Sequence, residues 1–210
     1  MKTIILGSAS PRRRELLAQI GVDFTVRVSE KEEIYNSTVP EEIVKELALM
    51  KAENVAEELR ADTESVEDAG KGGEEGVLRN MIVLGADTIV VLDDAILGKP
   101  KDEEEAFRMI HSLQGRTHEV YTGVAVLDFD KDGKKSVVNH AVGTKVFVHA
   151  MSDEEIRGYI ATGEPMDKAG GYGIQGRFAP YIDRIEGDYY NVVGLPVSYV
   201  YQVLKGLDAV

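Results

Sequence analysis

Three consecutive arginines, Arg12, Arg13 and Arg14, follow Ser10-Pro11 near the start of a chain whose formal net charge is −13. Ser10 suits a helix cap and Pro11 the first helical position. The arginines then fall in the first turn, where the helix's own partial positive charge disfavours cations. An anionic partner offsets that cost, and a phosphate would meet the helix N-terminus and the guanidinium groups together. Ser8 and Ser10 can add hydroxyl and backbone contacts to the same anion.

Asp87 interrupts the apolar run "MIVLGADTIVVL", Met81 to Leu92. A carboxylate inside such a run is costly unless it is paired, hydrogen-bonded or bound to a metal. It reads either as a strand-end turn cap or as a metal ligand or general base at the mouth of a sheet. Lys51 breaks a second pattern. Ile43, Val44, Leu47, Ala48, Ala52, Val55 and Leu59 form one helix face, and at about 100° per residue Lys51 falls near its middle. It either snorkels past the core edge or points its ammonium into a cleft toward phosphate. Lys99, in "LGKP", and Glu32 and Glu33, in a polar run, would pass singly as surface residues. "EPMDKAGGYGIQG", Glu164 to Gly176, brings Asp167 and Lys168 together with glycines whose backbone can approach a ligand closely. Together the cations Arg12, Arg13, Lys51, Lys99 and Lys168 and the carboxylates Glu33 and Asp87 suit the holding of a triphosphate and its divalent metal.

The elements that must position these groups follow from hydrophobic period and caps. Lys2 to Leu6 reads as a strand, Pro11 to Gly21 as a helix with its stop, and Phe24 to Val28 as a second strand. Pro40 opens a longer helix to about Leu59. The stretch Arg60 to Asn80 is acidic, contains glycine and has little apolar content, which predicts a surface loop. Met81 to Leu92 is a buried strand. Asp102 caps a helix ending at Gly115, with Glu105 at its capping-box position. His118–Phe129 and Ser136–Ala150 flank "DKDGK" as a hairpin. Ser152 and Glu155 make a further capping box, a short strand lies near Tyr181 to Ile185, and a last helix follows Pro196. Interleaved strands and helices with a hairpin predict an α/β fold with a mixed sheet.

The 210 residues suffice for one large domain or one domain of two lobes. The acidic balance argues against binding polymeric nucleic acid through a broad basic face. There is no cysteine, and the four histidines form no H-E-x-x-H pair, which excludes disulfides and disfavours zinc. No run approaches membrane-spanning length, and the first apolar run is too short for a signal peptide, so a cytoplasmic protein is expected. "DFDKDG" begins as a calcium loop would, but its twelfth position is Asn139 and strand-like sequence flanks it, so it reads as a hairpin turn.

"SASPRRRELL", "GADTIVV", "GKP", "TGV" at Thr122 to Val124, "EPMDKAGGYGIQG" and "NVVGLP" at Asn191 to Pro196 occur in that order. In this the chain resembles the Maf family of nucleoside triphosphate pyrophosphatases. The resemblance spans residues 1–210 as a single domain, apart from acidic residues 62–76, which look like a loop insertion. It implies two lobes around a central cleft, a divalent cation such as Mg2+ or Mn2+, and frequently a homodimer. The implied reaction cleaves between the α- and β-phosphates of a small nucleotide substrate, giving monophosphate and pyrophosphate. The resemblance also makes Asp87 the catalytic aspartate, with Glu33 joining it at the metal. Arg13, Lys51 and Lys99 would hold phosphates, with Ser8 and Ser10 nearby. Arg12, Thr88 and Gln175 match the branch that prefers dTTP and UTP; another branch, linked to 7-methyl-GTP, carries an aromatic, Gln and Glu there. The favoured mechanism activates a metal-bound water beside Asp87, with base, ligand or both left open for that residue. The family's implied role is removal of modified pyrimidine nucleotides, with a link to cell-division arrest on which no residue here bears. The competing class is a non-catalytic nucleotide-binding regulator on the same fold.

Overall fold

A parallel pair opens the fold, because the strand β1 (Thr3–Gly7) runs directly into Ser10-Pro11 and the helix α1 (Pro11–Gln19). The Ser10 side chain accepts from the Arg13 backbone N–H, as a cap residue should, and Gly21 takes the left-handed conformation beyond the helix. The chain returns as a two-residue strand, β2 (Thr25–Val26), much shorter than the expected Phe24–Val28. The computed structural model describes residues 2–67 and 78–210, with backbone alone for 63–67.

Residues 27–39 have no regular structure and lie along the helix α2 (Pro40–Glu67). They are held there by pairs of Arg27 with Glu58 and Asp62, and of Lys31 with Glu57, and by backbone N–H donation from Asn36 to Glu46. Here the sequence reading needs correction. α2 does not stop near Leu59 but continues to Glu67. Residues 60–67, read as loop for their acidity, extend a helix already nucleated by a buried face, and propagation is cheap once that is so. Residues 68–76 of the expected insertion lie outside the described residues.

β3 (Met81–Leu92), β4 (Ala95–Leu97), β5 (Thr117–Phe129), β6 (Lys135–Val148) and β7 (Ile182–Glu186) complete a seven-stranded sheet among the described residues. Its order is β2-β1-β3-β5-β6-β7, with β4 added to β3. β1 is parallel to β2 and β3, and the other pairings are antiparallel, so the expected mixed sheet is present. β5 and β6 form the expected hairpin. The Asp130 carboxylate accepts from the backbone of Asp132 and Lys134, so the acidic run is a turn.

The remaining α-helices among the described residues are α3 (Glu103–Leu113), capped by Asp102, α4 (Asp153–Ile160), with the complete Ser152–Glu155 capping box, α5 (Tyr189–Val193) and α6 (Val197–Gly206). Glu105 accepts from Lys101 N–H, one residue before the expected capping-box donor. α5 was not anticipated. Its five residues are too few to carry a helical period.

One sheet face packs β1, β3 and β5 against α1, α3, α4, α5 and α6, through residues such as Leu6, Leu17, Leu84, Ile110, Val126 and Leu204. The other face carries α2, through Val44, Ala48, Ala52 and Val55. α2 sits close to the sheet because two residues beneath it lack side chains. A methyl on Gly85 would sit 2.9 Å from the Ala52 nitrogen, and one on Gly123 2.9 Å from the Lys45 nitrogen; both would come closer still to helix carbonyls. Among the described residues no helix is long and apolar enough to cross a membrane.

Candidate active site

β3 parts from its neighbours partway along its length. Its pairing with β1 ends at Gly7–Gly85, and its pairing with β4 begins at Val90. Between them only β5 borders it, with Asp87 opposite Gly123 and Thr88 opposite Thr122. The strand edge is open there, beside the end of β1 that feeds the arginine-bearing helix. A cleft of about 630 Å³ fills the gap. All eleven residues expected at the site line it: Ser8, Ser10, Arg12, Arg13, Glu33, Lys51, Asp87, Thr88, Lys99, Lys168 and Gln175.

Successive strand residues face opposite sides, which sends Asp87 toward α2 and Thr88 toward the larger core. Lys51 Nζ lies 2.5 Å from Asp87 Oδ1 and 3.1 Å from Glu33 Oε1. One ammonium thus bridges a carboxylate from the sheet and one from the 27–39 segment. The low position of α2 over Gly85 and Gly123 brings Lys51 to this depth. The two readings of Lys51 are therefore separated, since its head group turns into the cleft. Among the described residues no group of three or more His, Cys, Asp or Glu could hold a metal. The oxygen donors here are a pair.

Arg13 is the most enclosed cation of the cleft, only 9% exposed. Its Nε donates to Gly194 O at 2.8 Å, Nη1 to Ser8 Oγ at 3.1 Å and Nη2 to Thr88 Oγ1 at 2.9 Å. Two of its five N–H groups remain for a ligand. Burial draws its pKa down, against the upward pull of Asp87 and Glu33. Thr88 shares a hydrogen bond with Thr122 at 2.9 Å, and Thr122 donates to the Asn191 carbonyl. Asn191, fully buried, donates to Val120 O and Thr144 Oγ1. "TGV" and "NVVGLP" thus brace the wall that holds Arg13, a role with no mark in the sequence because the partners lie up to 181 positions apart.

The opposite wall is the Gly-rich stretch. Arg12 reaches Asp167 at 3.2 Å, and Lys168 bonds Asp167 at 2.6 Å and the Glu164 carbonyl at 2.7 Å. Burial raises the Asp167 pKa, but the hydrogen bonds from Lys168 and Arg12 outweigh it and leave the carboxyl below its ordinary value. Lys99 and the Gln175 side chain are exposed and have no protein partner among the described residues. Half-buried Asn54 also lines the cleft without one, one helical turn after Lys51. Sequence reasoning passed over it, since an isolated Asn on a helix carries no signal.

Tyr172 anchors this wall from below. Its hydroxyl lies 2.6 Å from His118 Nε2, and the rings meet edge-on. Burial pushes the His118 pKa down to about 4, and its Nδ1 has no partner among the described residues. A neutral, buried imidazole holding a tyrosine is a structural role. Nothing in the spacing of His118 and Tyr172 betrays it.

The family profile described as Maf-like protein matches residues 3–207. A dTTP/UTP pyrophosphatase of Lachnoclostridium phytofermentans is 46% identical over 100% of this chain and 98% of its own. The proteins of that name from Agathobacter rectalis and Dictyoglomus turgidum are 48% and 49% identical, over 99% and 97% of this chain and 98% and 95% of theirs. Among solved structures, a nucleoside-triphosphatase / dITP/XTP pyrophosphatase of Mycobacterium abscessus aligns with 98% of this chain and 97% of its own. Its TM-score of 0.37 and 14% identity are too slight to bear on fold or function. Full-length identity at this level, over a cleft lined by the expected residues, makes the chain a member of the Maf family.

Proposed function

We propose that the chain is a nucleoside triphosphate pyrophosphatase that hydrolyses dTTP and UTP to the monophosphate and pyrophosphate. The observation that carries this reading is the Asp87–Lys51–Glu33 cluster at the split in β3. Two carboxylates facing a triphosphate repel it unless a cation lies between them. A pure binding site gains nothing from them, whereas a hydrolase needs a proton acceptor and a place for metal. The names and identities of the relatives support the substrate class. A small-nucleotide partner and a cytoplasmic place of action belong to the same reading.

The donor set fits a hard divalent cation. Asp87 and Glu33 already converge on one positive nitrogen. Mg2+ is commonly held by one or two carboxylates, with water and substrate phosphates completing its shell. These two residues would hold Mg2+ or Mn2+. When bound, the ion supplies charge neutralisation on phosphate oxygens and a lowered water pKa. The other tasks belong to the chain's own side chains. Asp87 takes a proton from the attacking water. Lys51 orients Asp87 and turns to phosphate when substrate enters. Arg13 donates its two remaining N–H groups, and Ser8, Ser10, Lys99 and Lys168 complete the phosphate cradle.

Base choice falls to Arg12, Thr88 and Gln175. Uracil and thymine present two carbonyls flanking one N–H. A glutamine amide can pair with one carbonyl and that N–H together, Arg12 can donate to a carbonyl, and Thr88, whose one hydroxyl proton is already given to the protein, can accept. Cytosine would leave polar groups unpaired at about 1–3 kcal/mol each. Release of pyrophosphate from dTTP, UTP, CTP and GTP, with and without Mg2+ or Mn2+, tests the reading. Expected are metal-dependent turnover to dTMP and pyrophosphate, with dTTP and UTP well ahead. Products dTDP and inorganic phosphate, or a preference for GTP, would overturn it.

A further inference from the structure

We propose that Glu164 and Tyr159 are a pair of positioning residues that fix the backbone on both sides of Gln175 and so set the base preference. The inference rests on the dTTP/UTP reading above. Tyr159, the penultimate residue of α4, accepts from Gly173 N–H at 3.2 Å. Its hydroxyl donates to Glu164 Oε1 at 3.1 Å, and Glu164 Oε2 accepts from Arg177 N–H at 3.0 Å. Gly173 and Arg177 stand two residues before and two after Gln175. The loop is thereby pinned symmetrically about the one residue in it that carries a free amide.

The turn itself is closed by backbone bonds from Gly176 N–H to Gly173 O at 3.1 Å and from Ala179 N–H to Gly176 O at 3.0 Å, and the Tyr159 and Glu164 contacts tie that turn to the body of the protein. The loop's glycines have no side chains to anchor them, and the buried Tyr172, Ile174 and Phe178 fix its lower edge only. Gln175 itself is exposed and has no protein partner among the described residues, so its backbone alone aims its amide. The Glu164 carboxylate fills the space a side chain at position 176 would need. A methyl on Gly176 would lie 2.6 Å from Oε2 and nearer still to Oε1. Glu164 lines the cleft, but both of its oxygens are occupied. Both donors to it are neutral, so they hold the carboxylate against the loop and leave its charge in place. Glu164 acts through Gln175 and not on the substrate.

The test is a kinetic cycle on the full chain with dTTP and CTP, comparing wild type, Tyr159→Phe, Glu164→Gln, Gln175→Ala and the double variant Tyr159→Phe/Gln175→Ala. Tyr159→Phe removes one oxygen and leaves the ring packed against Phe178, and melting curves identify any variant that fails to fold. Gly176→Ala is a further probe, since it displaces the Glu164 carboxylate without altering its chemistry. Tyr159→Phe and Glu164→Gln should each lower the dTTP-to-CTP ratio of kcat/KM by roughly tenfold. The loss should lie in KM for dTTP, with kcat for dTTP held within about twofold, as removal of binding energy requires. In the Gln175→Ala background Tyr159→Phe should lower the ratio no further. An unchanged ratio in both single variants, or independent additive losses, overturns the positioning role while the base-reading role of Gln175 stands. An unchanged ratio in Gln175→Ala overturns base reading itself and this inference with it.

Discussion

The depth of α2 over the sheet is set by two absent side chains, and restoring one measures what that depth is worth. Gly123→Ala adds a methyl 2.9 Å from the Lys45 nitrogen and closer to the Val44 carbonyl, both backbone atoms that cannot rotate away. The Val44 carbonyl is the limiting neighbour, more than ~1 Å inside an ordinary contact of about 3.4 Å, so α2 must lift by about 1 Å. A gap of that size forfeits about half of the dispersion between facing atoms. The helix loses contact along Ile43, Val44, Leu47, Ala48 and Ala52, all buried. Overpacking of this kind costs about 1–3 kcal/mol, and the stiffer unfolded chain returns about 0.4–1 kcal/mol. An overlap this deep puts the cost at the upper end, so the net loss is ~2–2.6 kcal/mol (3 − 1 to 3 − 0.4), a fall in Tm of roughly 4–10 °C at this chain length. Gly158→Ala is the control, because Gly158 sits in α4 with nothing within 4 Å of its added methyl. The same chemical change there should stabilise by about 0.5–1 kcal/mol and raise Tm by about 1–4 °C. Thermal unfolding followed by circular dichroism separates the two. Turnover should also fall about 10- to 100-fold in Gly123→Ala alone, since Lys51 rises with the helix away from Asp87, the strand partner of Gly123. A Gly123→Ala protein that melts at or above the wild type would refute the reasoning.

Asp87→Asn keeps the shape and removes the charge; metal-dependent turnover of dTTP should fall by at least about 100-fold, and wild-type rates would end the assignment. Gln175→Glu should erode the preference for dTTP over CTP, because the ionised carboxylate accepts but does not donate; an intact ratio counts against base reading. His118 is held near a pKa of about 4, below its unfolded value of about 6.5. The unfolded chain therefore binds the extra proton, and stability falls as pH drops from about 6.5 to about 4, by up to about 3 kcal/mol. Urea unfolding at intervals across that window should show a shallower slope in His118→Gln, which retains a partner for Tyr172; equal slopes would place the acid sensitivity elsewhere.

Much of this architecture could be read from the chain because its signals are local. The run Met81–Leu92, the Ser10 cap and the Ser152–Glu155 box each lie within a dozen residues, and each element forms where it was expected. The cleft residues were legible for another reason: Asp87 and Lys51 each violate the pattern around them, and they are found paired. What escaped was non-local or periodless. The end of α2 was misjudged because acidity outweighed the nucleating face behind it. The supports of Arg13, Gln175 and Tyr172 come from Gly194, Glu164 and His118, whose types are ordinary and whose partners are distant or hidden in a glycine-rich loop.

Asp87 and Thr88 are consecutive, yet one serves α2 and the other the wall of Arg13. On the reading proposed above, the strand acts as a partition, with the general base and metal ligands on one side and Thr88 and its phosphate-holding partner Arg13 on the other. If Thr88 reads the base as proposed, substitutions on its side can drift toward new bases while Asp87 stays in place, so the fold lends itself to diversification by substrate. Insertion or deletion is a different matter. A single residue added to β3 before Gly85 would turn every later side chain over. Asp87 would then face the specificity wall and Thr88 the helix. Evolution of this lineage should therefore tolerate length changes in its loops and forbid them in this one strand.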